Sequence, residues 1–162
     1  MDRLWTPWRM EYIKDLHRER DCIFCELPAL DPAHDAESLI VARGERAFVL
    51  INKFPYNCGH LLVAPFRHTA RFEDLAPEEH AEMSAWVSDC IRALESEYRP
   101  QGYNIGVNQG AAAGAGIAEH LHTHIVPRWG GDTNYMTTVG GTKVLPETLE
   151  ETYAKLRPLI AR

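Results

Sequence analysis

Hydrophobic and polar positions follow two different periods along the chain. Short apolar runs at Leu39–Ala42, Ala47–Asn52 and His60–Pro65 are separated by turn residues, Arg43-Gly44-Glu45 and Pro55-Tyr56-Asn57-Cys58-Gly59. Runs of that length, bounded by turn chemistry, predict strands. From Pro77 the period changes: Met83, Val87, Cys90, Ile91, Leu94 and Tyr98 recur every three or four positions. That spacing predicts a long amphipathic helix. Pro77 suits its first position, Glu78 and Glu79 complement the positive end of its dipole, and Arg99-Pro100 stops it. Two more strands are predicted at Tyr103–Asn108 and Leu121–Pro127, then a shorter helix from Pro146 to about Leu156 with Leu149, Tyr153 and Leu156 on one face. The stretch Cys22–Ala36 is dense in Pro and Asp and reads as a loop. Strands in succession, without alternating βαβ units, argue against a parallel sheet. The predicted class is α+β: an antiparallel sheet of about five strands with one long helix and a shorter C-terminal helix packed on one side.

Composition narrows this picture. The 162 residues suit a single domain, 1–162, able to bury roughly 70% of the surface of its unfolded chain. With 45% hydrophobic and 25% charged residues, the chain has globular composition. An arm over about residues 1–20 carries Trp5, Trp8, Met10 and Tyr12 around Pro7, too apolar for a free tail, and is expected to pack on the body or on a second subunit. The net charge of −6 makes nucleic acid an improbable partner. No apolar run reaches spanning length and the N-terminus has no secretory apolar core, so neither membrane insertion nor export is expected. Cys22-x-x-Cys25 in such a chain favours a reducing, cytoplasmic setting.

The densest chemistry is His120-Leu121-His122-Thr123-His124. In a strand, alternate side chains share a face, which places three imidazoles in a row roughly 7 Å apart at their Cα atoms. Three histidines on one face sacrifice too much burial to be filler. The row can chelate a metal ion, or it can attack phosphorus, with the middle ring as nucleophile and its neighbours holding phosphate oxygens. The preceding Asn108-Gln109-Gly110-Ala111-Ala112-Ala113-Gly114-Ala115-Gly116 favours phosphorus chemistry, because small residues let backbone N–H groups approach phosphate oxygens.

His120–Val126 resembles the His-φ-His-φ-His-φ-φ signature of the histidine triad (HIT) superfamily, with Thr123 as a mildly polar member. Asn52–Val63 is similar to that family's nucleoside-binding hairpin. Pro127–Tyr135, Arg3–Pro7 and Gly140–Val144 resemble bacterial members that cleave dinucleoside polyphosphates, the diadenosine tetraphosphate phosphorylases among them. The resemblance covers nearly the whole chain. It implies a HIT-like, homodimeric nucleotide hydrolase or transferase. His122 would attack the α-phosphorus to give a nucleotidyl-histidine, which orthophosphate or water then resolves, with phosphorolysis favoured. His124 would bind the same phosphate or the bridging oxygen. Asn52 would hold the ribose hydroxyls, and Asn108 or Gln109 the phosphate. Ile117 stands where several branches carry Ser or Thr to assist the leaving group, which shifts attention to the Gly114-Ala115-Gly116 amides or His124. A Mg²⁺ ion is expected to arrive with the substrate's outer phosphates.

Cys22 and Cys25 would complete a tetrahedral zinc site with two imidazoles, His68 and His120 being the candidates. The resemblance implies the same set, since zinc-carrying relatives use a Cys-x-x-Cys, a histidine after the corresponding strand and the first triad histidine. A redox pair or two idle thiols are the alternatives. His60, beside Gly59, reads as structural. Two rival functions are a non-catalytic nucleotide-binding module, which would not need His122, and a metalloenzyme with its ion on the triad. Adenosine phosphoramidate-type compounds are an alternative substrate class.

Overall fold

The computed structural model describes residues 22–160; the arm predicted over about residues 1–20 lies outside them. Five strands form one antiparallel sheet in the order β1-β2-β3-β5-β4: β1 Ile40–Arg43, β2 Ala47–Ile51, β3 Leu61–Pro65, β4 Gly102–Val107 and β5 Thr123–Arg128. The helices are α1 (Ile23–Ala29), α2 (Asp35–Ser38), α3 (Pro77–Tyr98), α4 (Tyr135–Thr138) and α5 (Leu149–Ile160). The α+β expectation and its five strands are realised, with strand ends displaced by one or two residues. Among the described residues no helix is long and apolar enough to cross a membrane.

Strand periodicity divides the core into two layers. Val49, Ile51, Leu61, Val63, Leu121 and Ile125 face α3 and α5, meeting Met83, Trp86, Leu94, Leu156 and Ile160. The alternate positions Phe48, Leu50, Leu62 and Ala64 face the other way and pack with Phe24, Ile40 and Ile117. The second face is therefore covered too, which corrects the expectation of helices on one side only. α3 starts where expected, with the Glu79 carboxylate accepting from the Ala76 N–H (2.8 Å), and ends on Arg99 in the left-handed region (φ 46°). The C-terminal helix starts three residues later than expected, at Leu149, and runs on to Ile160 through Pro158.

The predicted loop Cys22–Ala36 is a second correction. It contains α1, a 3₁₀ turn at Pro32–His34 and the first residues of α2. The Asp and Pro density that suggests a loop instead caps and starts short helices: Asp31 Oδ1 accepts from the Ala33 N–H at 2.8 Å beside Pro32. Burial of Phe24 docks α1 on the sheet.

Candidate active site and metal cluster

Strand alternation puts the three triad side chains on the second face, opposite Leu121 and Ile125. The regular strand begins only at Thr123, so His120 and His122 stand on the extended segment leading into β5, a correction to the expectation of one strand carrying all three. His122 and His124 keep ring centroids 4.9 Å apart, and both line a cavity of about 650 Å³. Asn52, Lys53, Phe54 and Tyr56 from the β2–β3 connection form one side of that cavity. Ile23, Phe24 and Leu27 of α1 form another, and Gly114, Gly116 and Ile117 a third.

Hydrogen bonds assign the protons of the rings. A carbonyl only accepts, so the 2.9 Å contact from His122 Nδ1 to the His120 carbonyl puts the proton on Nδ1 and the lone pair on Nε2. Burial lowers the pKa of His122 and keeps the ring neutral. His60, read as structural, proves to be part of this arrangement. Its Nδ1 accepts from the Tyr56 backbone N–H at 3.1 Å, so its proton is on Nε2, which donates to His124 Nδ1 at 3.0 Å. His124 therefore carries its own proton on Nε2. His60 is fully buried, and burial, followed by repulsion from its two histidine neighbours, pushes it down to about 3. No sequence signal joins His60 to His124, 64 positions apart; the β3–β5 register brings them together.

Asn52 adjoins this chain. Its Oδ1 accepts from the Phe54 N–H (2.9 Å) and its Nδ2 lies 3.3 Å from His60 Nδ1, which leaves one lone pair and one N–H for a ligand in the cavity. Asn108 is half-buried just beyond β4. The Gln109 amide is taken up by the Phe72 N–H (2.8 Å) and by Glu73 (3.1 Å), which fastens the glycine loop to the turn Phe72–Asp74. Neither is among the residues lining the cavity, and Ala115 lies between two that are. Ile117, 9% exposed, gives the wall a methyl surface and no proton.

The second constellation is Cys22, Cys25, His68 and His120, whose ligand atoms all lie within 4.8 Å of one another. His120 Nε2 donates to the Pro65 carbonyl (2.8 Å), so Nδ1 presents its lone pair to Cys22 Sγ (3.3 Å) and Cys25 Sγ (3.5 Å). His68 Nδ1 lies 3.4 Å from Cys25 Sγ. A tetrahedral zinc ion with Zn–S of about 2.3 Å and Zn–N of about 2.0 Å sets its ligands about 3.3–3.8 Å apart, so the donor set fits that ion. Burial pushes the Cys22 thiol up to about 11, an energetic obstacle to a bare thiolate that metal coordination removes. The four donors match the four positions of a tetrahedral ion. His120 thus belongs to the cluster by its ring and to the active site by its carbonyl.

Comparison with known proteins gives a consistent set of similarities. The HIT domain pattern matches residues 33–131. An AP-4-A phosphorylase of Mycobacterium tuberculosis is 44% identical over 160 residues, covering 94% of this chain and 80% of that protein. An asymmetrical bis(5'-nucleosyl)-tetraphosphatase of Schizosaccharomyces pombe is 32% identical over 91 residues, 56% of this chain and 50% of that protein. Among solved structures, a zinc-bound histidine triad family protein from Mycobacterium smegmatis superposes with a TM-score of 0.67 at 29% identity, covering 86% of this chain and 93% of the other.

Proposed function

Because the chain belongs to the HIT domain family, we propose that it cleaves dinucleoside polyphosphates of the diadenosine tetraphosphate type at the α-phosphorus, through a nucleotidyl-histidine on His122. The observation that carries this reading is the proton assignment: in one cavity, His122 offers a neutral nucleophilic nitrogen and His124 a proton donor. A nucleoside packs between the α1 wall and the β2–β3 connection, with Asn52 on its ribose hydroxyls. His122 Nε2 attacks the α-phosphorus, forming an N–P bond as the P–O bond to the leaving nucleotide breaks. The His124 Nε2–H donates to a non-bridging oxygen or to the departing one, taking the role that Ile117 cannot fill. The Gly114-Ala115-Gly116 amides complete the phosphate cradle, with Gln109 as the tether that positions the loop. A polyphosphate is a good leaving group, so positioning and charge stabilisation supply most of the rate.

Orthophosphate is the acceptor in this reading, supported by the 44% identity with the mycobacterial phosphorylase. Zinc, held by Cys22, Cys25, His68 and His120, supplies structure and takes no part in bond making. A homodimer belongs to the same reading: β4 is an outer strand whose residues Asn104–Gly106 are exposed, an edge that a second copy could extend. A reducing cytoplasm suits a chain whose four cysteines are all thiols.

The test incubates diadenosine tetraphosphate with the protein, Mg²⁺ and isotopically labelled orthophosphate, and separates products by anion exchange. Labelled ADP with ATP is the expected result. Unlabelled AMP with ATP would identify water as the acceptor, and no product would leave the non-catalytic nucleotide-binding module as the better reading.

A further inference from the structure

Helix α1 belongs to both constellations at once. Cys22 precedes its first turn and Cys25 lies within it, while Ile23, Phe24 and Leu27 are a wall of the cavity. Phe24, 2% exposed, sets its ring 4.8 Å from that of His122 and 5.4 Å from that of His120. The helix has seven residues, includes Pro28 and has no side-chain cap at its N-terminus. Such a segment does not stand without tertiary support. Its far end has that support: Arg43 Nη1 donates to the Pro28 carbonyl (2.6 Å) while Nη2 pairs with Asp35 (2.7 Å). At its near end, Cys22 packs on the second core layer, and the polar side chains facing the two sulfurs from the body are, among the described residues, His68 and His120.

We infer that metal binding at Cys22, Cys25, His68 and His120 is a latch on the nucleoside pocket. An ion that draws the four donors together seats α1 on the sheet, and the seated helix presents Ile23, Phe24 and Leu27 to the nucleoside and the Phe24 ring to His122. The ion acts through this wall and not through its charge, because two thiolates balance a divalent ion while both imidazoles stay neutral. The inference rests on the proposed function only in taking a nucleotide as the ligand of the cavity.

The experiment titrates AMP calorimetrically into zinc-loaded protein, chelator-stripped protein and stripped protein reloaded with zinc. Hydrogen exchange is followed in each. Stripping is expected to weaken AMP binding by about tenfold or more and to speed exchange of the amides of residues 23–29, while amides of β2, β3 and α3 keep their protection. Reloading restores both. Phe24→Ala is expected to retain one equivalent of zinc yet bind AMP about as weakly as stripped protein, which separates the wall from the ion. Equal AMP affinity with and without zinc, or exchange of α1 indifferent to zinc, would overturn the latch. Should stripping unfold the chain, zinc-loaded Phe24→Ala decides alone, and full AMP affinity in that variant overturns it. Metal-dependent AMP binding without cleavage of diadenosine tetraphosphate keeps the latch and removes the catalytic reading. Cleavage with metal-independent AMP binding does the reverse, and absence of AMP binding by loaded protein removes both.

Discussion

His122 and His124 stand two positions apart, yet their tautomers are opposite: the proton is on Nδ1 of the first and on Nε2 of the second. The difference comes from what faces each ring, a backbone carbonyl in one case and His60 in the other. His60 is consequently a positioning residue for His124. Replacing it by glutamine removes the ring that fixes the His124 proton while keeping an amide able to bond within the same space. Turnover in His60→Gln is expected to fall about 100-fold, with AMP affinity close to that of the unchanged protein, as steady-state kinetics and calorimetry would show. Equal loss in both would assign His60 to nucleotide binding instead. The triad, the Cys-x-x-Cys and their shared residue His120 were legible in sequence because each is a local pattern. His60 was not, since a lone histidine next to a glycine has no pattern and its partner comes from another strand.

Among the elements, the β2–β3 connection carries the heaviest demands, because it delivers Asn52, Tyr56 and His60 together. Gly59 makes its return possible. It sits at φ 73°, and a Cβ there would meet Leu94 Cδ2 at 2.8 Å and Tyr98 Cε2 at 3.3 Å. Gly59→Ala is expected to lower stability by roughly 1–3 kcal/mol, measured as a reduced denaturant midpoint. An unchanged midpoint would show that the hairpin has slack. The strands and α3 could be read in advance because their periods are sustained over enough residues to be distinctive. α1 was hidden by its brevity and by Pro28, and the stabilisation that outweighs both is tertiary: Phe24 in the second core layer and Arg43 on the Pro28 carbonyl. β5 starts two residues later than its pattern predicts for a related reason. The Leu121 N–H is bonded to the Thr69 carbonyl (2.7 Å), outside the sheet ladder, although the side-chain alternation continues unbroken.

For the molecule as a whole, burying neutral imidazoles ties stability to pH. His60 has a pKa of about 3 when folded, against 6.5 for an exposed ring, and that of His122 is also lowered. Between those values the unfolded chain binds protons that the folded chain refuses, so stability falls as pH falls. The contribution of His60 is complete above about pH 6.5 and is lost progressively towards pH 3, at up to about 1.4 kcal/mol per pH unit, and His122 adds to it in the same direction. Denaturant unfolding from pH 7.5 to 4.5 should show this slope, reduced in His60→Gln; a flat profile would mean that the rings are protonated in place. The central claim is chemical, and one measurement addresses it directly. Protein mixed briefly with diadenosine tetraphosphate without orthophosphate, quenched in base, where phosphoramidates survive, and digested for peptide mass spectrometry should carry an adenylyl group on His122 alone, and none in His122→Ala. Rapid turnover with no adduct at any time point, or an adduct on another residue, would contradict it.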